Sequence, residues 1–334
     1  MYMRCLKNAM PINSILKTNM INKILPIVII IVVTFCGCTN KFAQECNETK
    51  LLMDTVCTVK VSGKDCSAAT NAVFDKIAEI ADKTDYYSET SKVSEFNKLS
   101  SGEKIALDDD LYKIIDMALS VSEKSDGAFD ITVAPIKDLW QFSDGSHEPP
   151  SKDTIDNALK NTGYRNLVFD RENRTLSKNS DNIKIDLGGV AKGYAADCAV
   201  EILKQYNLDN AIIDLGGNVT VYGKNPSRRD GKWNIAIQKP FGKNGEYADT
   251  VTVEKGAVVT SGNYQRYFIY DDRVYHHIID TKTGYPSDSG ISSATIISDS
   301  ALLADCLSTA CMVLGKERGK MLADEFGVSI ITVN

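Results

Sequence analysis

Three short stretches gather the residue types that do phosphate and proton chemistry. In Ile185–Cys198, IDLGGVAKGYAADC, an apolar run ends on the carboxylate of Asp186, Gly188 and Gly189 follow, and helical periodicity starts at once. Glycines at a strand-to-helix turn let the backbone approach a ligand closely, and a helix N-terminus presents unpaired N–H groups and a positive dipole end. The segment suits a phosphate, with Lys192 in the first helical turn as an added charge; taken alone, it suits a tight α/β turn and a solvated lysine equally well. In Asp299–Gly315, DSALLADCLSTACMVLG, Asp305 and Thr309 stand at i, i+4, so their oxygens share one helix face. By spacing alone they suit a polar helix face, although a carboxylate and a hydroxyl are also hard oxygen ligands of the kind Mg²⁺ takes. In His276–Pro286, HHIIDTKTGYP, His277 precedes Ile278-Ile279-Asp280 and is one of only three histidines. Its imidazole can carry a proton near neutral pH.

The elements that must hold these groups can be read from periodicity. Ala191, Tyr194, Ala195, Cys198, Ala199, Ile202, Leu203 and Tyr206 fall at helical spacing and bury one face of a helix over 190–206. Asp299 or Ser300 is a plausible N-cap for a helix over 300–314 that ends at Gly315, with another over 316–326. A second Asp-Leu-Gly-Gly, in AIIDLGGNVTVYG at Ala211–Gly223, runs on into β-branched residues and reads as strand–turn–strand. Strands are expected at 54–61, 165–170, 174–178, 182–186, 211–222, 233–239, 249–254, 266–271, 274–280 and 292–298. Helices are expected at 67–83, 110–124 and, briefly, 154–160. Neighbouring strands joined by short turns imply largely antiparallel pairing and exclude a simple doubly wound parallel sheet.

The chain has 334 residues, 43% hydrophobic and 25% charged, enough for one sizeable core or two. A net charge of -6 with no basic stripe argues against nucleic acid as a partner. Ile24–Phe35, ILPIVIIIVVTF, is an apolar run of 12 residues preceded by Lys17 and Lys23, too short for a comfortable span and proportioned like a secretory signal that starts at Met20. The run ends in Phe35-Cys36-Gly37-Cys38, which resembles a bacterial lipobox with Cys38 as acceptor. The expected organisation is therefore a signal over 1–37, a lipidated tether over 38–50 and a catalytic domain over 51–334. The chain would then be lipid-anchored at the extracytoplasmic face of a bacterial cell membrane. Of nine cysteines, Cys46, Cys57, Cys66, Cys198, Cys306 and Cys311 lie outside the targeting region, and none forms a CxxC pair. They are expected to be free, with no zinc site.

In order along the chain, DLGGVAKGYAAD, the second DLGG, VVTSGNYQRYF, HIIDTKTGYP and ADCLSTACMVLG resemble the FAD:protein FMN transferases, the ApbE-like flavin transferases. Met53-Asp54-Thr55, Tyr87 in YYSETSKVSEFN and SDGAFDITVAP at Ser125–Pro135 extend the likeness upstream, so that it covers roughly Leu51 to the C-terminus. The resemblance implies one α+β domain, T-fold-like, with helices packed on antiparallel sheets and flavin in a cleft between lobes. It implies transfer of the FMN half of FAD to a Thr or Ser hydroxyl of an exported or membrane redox protein, with Mg²⁺ and release of AMP. It assigns His277 as general base and the Gly189 carbonyl, Asp305 and Thr309 to the metal. It places Met53, Tyr87, Ala128, Phe129, Asp130, Asp186, Lys192 and Ile279 around the FAD, with Tyr86 an equal candidate for the stacking role of Tyr87. Hydrolysis of FAD, or flavin binding without catalysis in a lipoprotein, are the alternatives. A penicillin-recognising serine enzyme is suggested by SxxK at Ser101–Lys104, SxN at Ser261–Asn263 and KTG at Lys282–Gly284. It fails because SGEKIALDDD reads as a turn and polar strand, and because only 18 residues separate Asn263 from Lys282.

Overall fold

The structure is a computed structural model that describes residues 44–142, 148–243 and 245–334. Strands β1 (Glu45–Leu52) and β2 (Thr55–Ser62) form a hairpin whose turn residues, Met53 and Asp54, both have positive φ. Helices α1 (Cys66–Thr84) and α2 (Lys92–Asn97), strand β3 (Lys104–Ala106) and helices α3 (Asp109–Lys124), α4 (Ala134–Trp140) and α5 (Lys152–Leu159) follow. Next come β4 (Leu167–Asp170), β5 (Thr175–Lys178), α6 (Ala191–Gln205), β6 (Asn210–Leu215), β7 (Asn218–Gly223), β8 (Trp233–Gln238) and β9 (Tyr247–Val253). The chain closes with β10 (Gly256–Gly262), β11 (Tyr267–Tyr270), β12 (Arg273–His276), β13 (Ser293–Ser298), α7 (Ala301–Glu325) and β14 (Ser329–Val333).

The centre is a seven-stranded sheet in the order β1-β2-β6-β7-β10-β13-β14, antiparallel at every pairing. The strand period of two sends Cys57, Val59, Val61, Ile213, Leu215, Ala257, Val259, Ala294 and Ile296 to one face, where they share a core with α1, α6 and α7. Helix α1 meets that face with Ala69, Val73, Phe74, Ile77 and Ile80, at three- and four-residue spacing. Each large side chain so buried contributes about 1.5–3 kcal/mol. The opposite face carries Val221 and Val258 beneath Trp233 and Ile235 of the β8–β9 hairpin. A satellite core of Ile136, Trp140, Ile155, Phe268 and Ile279 supports the β11–β12 ribbon.

Two side-chain networks lock the helical layer. Asp197 of α6 caps the start of α7, accepting from the backbone N–H of Ala301 (2.8 Å) and Leu302 (3.1 Å) and from the Ser300 hydroxyl (3.0 Å). Asp110 of α3 accepts from Lys76 (2.8 Å) and Lys83 (2.5 Å) of α1 and from the hydroxyl of Tyr194 on α6 (2.9 Å). Burial alone would raise the pKa of Asp110, but those three donors outweigh it and hold the carboxyl down at about 2.

Three expectations need correcting, and a fourth holds. Residues 182–186 are not a strand: two side chains described below take the place of a strand partner. Residues 45–50, assigned to the tether, form most of β1 and pair with β2. Cys46 and Cys66 are joined in a disulfide across 20 residues, so these two cysteines are not free; they were separated in sequence but lie 5.9 Å apart at Cα. The two C-terminal helices meet at Gly315 as expected: its φ of 77° kinks the run Ala301–Glu325, which is labelled here as one element. Cys38, the signal and His147 lie outside the described residues.

Candidate active site

The first Asp-Leu-Gly-Gly turn is aimed by two polar side chains from the lobe that precedes it. Lys178 is fully buried and donates to the carbonyls of Asn97 (3.0 Å), Asp181 (3.0 Å) and Ile183 (2.9 Å). Burial pushes its ammonium pKa down. The Asn97 amide brackets Ile185, accepting from its N–H (2.8 Å) and donating to its carbonyl (3.0 Å). The three bonds to Ile183 and Ile185 satisfy backbone that a neighbouring strand would otherwise pair. Asp186 then donates its N–H to the Ile131 carbonyl (2.7 Å) and accepts from Gly188 N (2.8 Å). The same four residue types build a different turn at 214–217. There Gly216 and Gly217 have φ of 70° and 91° and close the β6–β7 hairpin, whereas Gly188 and Gly189 keep negative φ and feed α6.

Helices α6 and α7 cross at Gly193. Its N–H donates to Asp305 Oδ2 at 2.9 Å, and a Cβ there would stand 2.3 Å from the Ala301 carbonyl oxygen. Asp305 is 5% exposed, and burial raises its pKa, with Lys192 and the Gly193 N–H partly offsetting that. Thr309, one turn on, lies 3.3 Å from the Ser261 hydroxyl and 3.9 Å from the Cβ position of Gly189. The first turn of α6, the Gly189 turn and the Asp305–Thr309 face thus converge. The Lys192 ammonium donates to the Gly188 carbonyl (3.1 Å) and acts electrostatically on both Asp305 and His277.

His277 follows β12 directly. Its backbone N–H (3.1 Å) and ring Nδ1 (3.3 Å) both meet the Arg266 carbonyl, which assigns the proton to Nδ1 and leaves Nε2 as an acceptor. The residue is partly exposed. Even so, the desolvation of its ring, with His276, Arg266 and Lys192 adding to it, lowers its pKa to about 3. A neutral imidazole is the form that accepts a proton. His276 is spent on structure, bonding the Ser287 carbonyl through Nε2 (2.9 Å) and receiving Ile278 N–H at Nδ1 (3.3 Å).

Around the expected flavin position the structure sorts the candidates. Tyr86 has its hydroxyl tied to Asp138 (2.6 Å), while Tyr87 is 67% exposed and stands edge-on to it at 5.2 Å. Tyr87 is therefore the ring available for stacking. Lys137 of α4 sits 5.6 Å from the Tyr87 ring centroid and 5.8 Å from that of Tyr86, and pairs with Asp186. Burial would lower the pKa of Lys137, but the Asp186 charge outweighs it and raises it. Met53 packs on the core from the β1–β2 turn, and Asp54 beside it lines an open cleft of about 520 Å³ with Phe142, Gln265, Arg266 and Tyr267. Ala128 and Phe129 are buried, the Phe129 ring edge 3.4 Å from the Cβ position of Gly189. Asp130 differs from expectation: Oδ1 accepts from the N–H (2.8 Å) and hydroxyl (2.7 Å) of Thr132, and Oδ2 from Tyr164 N–H (2.6 Å), so its carboxylate serves the loop. Ile279 likewise turns its side chain into the satellite core.

Lys137, Lys178, Asn97 and Gly193 were not singled out by sequence reasoning. A lysine or asparagine carries no periodic signal of its own, although a glycine inside a strong helical pattern marks a close approach. Among the described residues no group of three or more His, Cys, Asp or Glu could hold a metal ion. Asp305 brings a carboxylate to a hydroxyl, Thr309, and to the backbone of the Gly189 turn. That set fits an ion which takes most of its ligands from water and phosphate, and a buried carboxylate of raised pKa gains from a cation.

Comparison with known proteins gives a consistent result. The ApbE family model matches residues 53–332. The FAD:protein FMN transferase of Treponema pallidum is 30% identical over 85% of this chain and 82% of its own length. That of Vibrio cholerae is 31% identical over 77% and 76%. Among solved structures, the Thermotoga maritima apbe protein superimposes with a TM-score of 0.78 at 34% identity, covering 86% of this chain and 94% of that one. The flavin transferase ApbE from Vibrio cholerae superimposes with 0.76 at 28% identity, covering 87% and 93%.

Proposed function

The chain belongs to the ApbE family, and on that premise we propose that it transfers the FMN moiety of FAD to a Thr or Ser hydroxyl of an acceptor protein, with Mg²⁺ and with release of AMP. One observation carries the reading: the Gly189 turn, Lys192, Asp305 and Thr309 converge, and the same Lys192 acts electrostatically on His277. The acceptor oxygen forms a bond to the FMN phosphorus, and the bond from that phosphorus to the AMP oxygen breaks. The hydroxyl proton passes to Nε2 of His277, whose Nδ1–H stays fixed on the Arg266 carbonyl. Lys192 and the N-terminal amides of α6 hold the pyrophosphate and offset its charge. Asp305, Thr309 and the Gly189 carbonyl are the residues to hold Mg²⁺, which supplies further charge neutralisation when bound. Tyr87 stacks on the flavin, and Lys137 pairs with Asp186.

A protonated His277 cannot act as base, and the lowered pKa keeps its ring in the accepting form at neutral pH. Incubation with FAD, Mg²⁺ and an acceptor protein, read by in-gel flavin fluorescence, tests the reading. His277→Ala should lower transfer by about two to four orders of magnitude with FAD affinity nearly intact. Asp305→Ala and excess chelator should each abolish transfer. Full activity of Asp305→Ala, or of wild type in chelator, overturns the metal assignment, and loss of FAD binding in His277→Ala makes its imidazole a ligand contact. FMN release without an acceptor would identify hydrolysis.

Anchoring through lipid on Cys38 at the extracytoplasmic membrane face is part of the same proposal. It is supported by the Phe35-Cys36-Gly37-Cys38 pattern and by the Cys46–Cys66 disulfide, a bond that persists in oxidising compartments. Among the described residues no helix is long and apolar enough to cross a membrane. An exported or membrane redox protein is then the acceptor within reach. Cys38→Ser should release an active domain from membranes, and continued retention would locate the anchor in residues 24–35.

A further inference from the structure

Asn218 opens β7 immediately after the second Asp-Leu-Gly-Gly turn. It is 2% exposed, and neither its Nδ2 nor its Oδ1 has a hydrogen-bond partner. It stands opposite Val259 of β10, so it faces the helical layer. Ser261 lies on that face two residues further along β10, and its hydroxyl is 2.8 Å from Ser308 Oγ and 3.3 Å from Thr309 Oγ1. Diagonal neighbours of this kind are about 7–8 Å apart, so Asn218 shares a sheet face with the Ser261–Thr309 hydroxyl cluster without bonding to it. Gly217, the preceding residue, would place a Cβ 3.8 Å from Nε2 of Gln265, which lines the cleft.

A second observation concerns charge. Lys192 makes no ion pair among the described residues; its ammonium donates to a backbone carbonyl and is felt electrostatically by Asp305, His277 and Cys57. Cys57 pairs with Leu215 at the end of β6, the strand next to β7, so a group that Lys192 acts on lies two strands from the unpaired amide. A buried amide without partners costs free energy that a fold keeps only where something else repays it. Beside an unpaired ammonium, the chemistry that completes both is an anion with several acceptor oxygens.

We propose that Asn218 is a further substrate-binding residue, whose Nδ2 donates to a non-bridging oxygen of the FAD pyrophosphate beside Lys192. This rests on the reading of FAD as substrate. Binding of FAD and of riboflavin, which lacks phosphate, is measured by fluorescence titration for wild type, Asn218→Leu and Asn218→Ala, together with thermal unfolding of the ligand-free proteins. Asn218→Leu removes the unpaired amide at similar volume, so its unfolding midpoint should match or exceed wild type. Its FAD affinity should fall about ten- to a hundredfold, as for a lost hydrogen bond to a charged group, with riboflavin affinity unchanged. Asn218→Ala should show the same selective loss and serves if the leucine variant does not fold. A loss of FAD affinity below tenfold, or an equal loss for riboflavin, overturns the proposal and leaves Asn218 a structural amide. Failure of the wild-type protein to bind FAD would instead overturn the proposed function.

Discussion

Gly193→Ala sets helix propensity against packing, and the structure says which wins. Inside α6 an alanine is favoured over glycine by about 1 kcal/mol on propensity alone. Its Cβ, however, would stand 2.3 Å from the carbonyl oxygen of Ala301 and 2.8 Å from Cβ of Asp305. Neither neighbour is the end of a flexible chain, and ordinary contact begins at 3.4 Å, so α6 and α7 must part by about 1 Å. Overpacking of that kind costs about 1–3 kcal/mol, which leaves a net loss of up to about 2 kcal/mol after the propensity gain. The midpoint of thermal unfolding should drop by a few degrees. Function should suffer more. Parting the helices opens the 2.9 Å bond from Gly193 N–H to Asp305, and a misplacement of about 1 Å near the reacting atoms costs on the order of a hundredfold in rate. Thermal unfolding and single-turnover FMN transfer, measured on the same preparation, give both quantities. A variant as stable as wild type that transfers at the wild-type rate would refute the close approach and the placement of Asp305 by Gly193.

Three further outcomes follow from the same contacts. Asp110, held at about 2 in the fold against about 3.9 unfolded, contributes about 2 kcal/mol that is fully present above pH 4 and lost as pH falls toward 2. The stability gap between wild type and Asp110→Asn should therefore close across that window in acid unfolding, and a gap independent of pH would remove the ion pairs from the argument. Opening the Cys46–Cys66 loop of about 20 residues, by reductant or Cys46→Ser, should cost about 3 kcal/mol on the chain-entropy view, read as a lower denaturant midpoint; an unchanged midpoint would mean that β1 stays docked without its crosslink. Lys178→Met strands three carbonyls at the entrance to the Asp186 turn, so amide exchange should accelerate in residues 181–188 before it does so in the central sheet. Uniform exchange across both regions would count against its local role.

Sequence pattern made much of this protein legible. Periodicity located α1, α3 and α6 to within a residue or two, because each buries one continuous face. Alternation located most of the sheet, and Asp-Leu-Gly-Gly followed by β-branched residues read correctly as the β6–β7 hairpin. Helices α2 and α4 escaped, being six and seven residues long, too short to show a period. Strand β14 was missed at the chain end, and β1 was taken for tether because its sequence, ECNETKLL, is polar and lies at a sheet edge. Residues 182–186 look like a strand and are not one, because Lys178 and Asn97, distant in sequence, supply the hydrogen bonds a neighbouring strand would have made. The site divides in the same way. Asp305, Thr309, Lys192 and His277 are proposed for the site from residue type, local spacing and family resemblance. That Tyr87 rather than Tyr86 is free to stack, that Lys137 pairs with Asp186, and that Asn218 lies buried without a partner depend on which segments meet. Local sequence sets the period and the chemistry of each side chain, whereas partner, burial and pKa are set by contacts between residues far apart in the chain, and only the tertiary structure makes those.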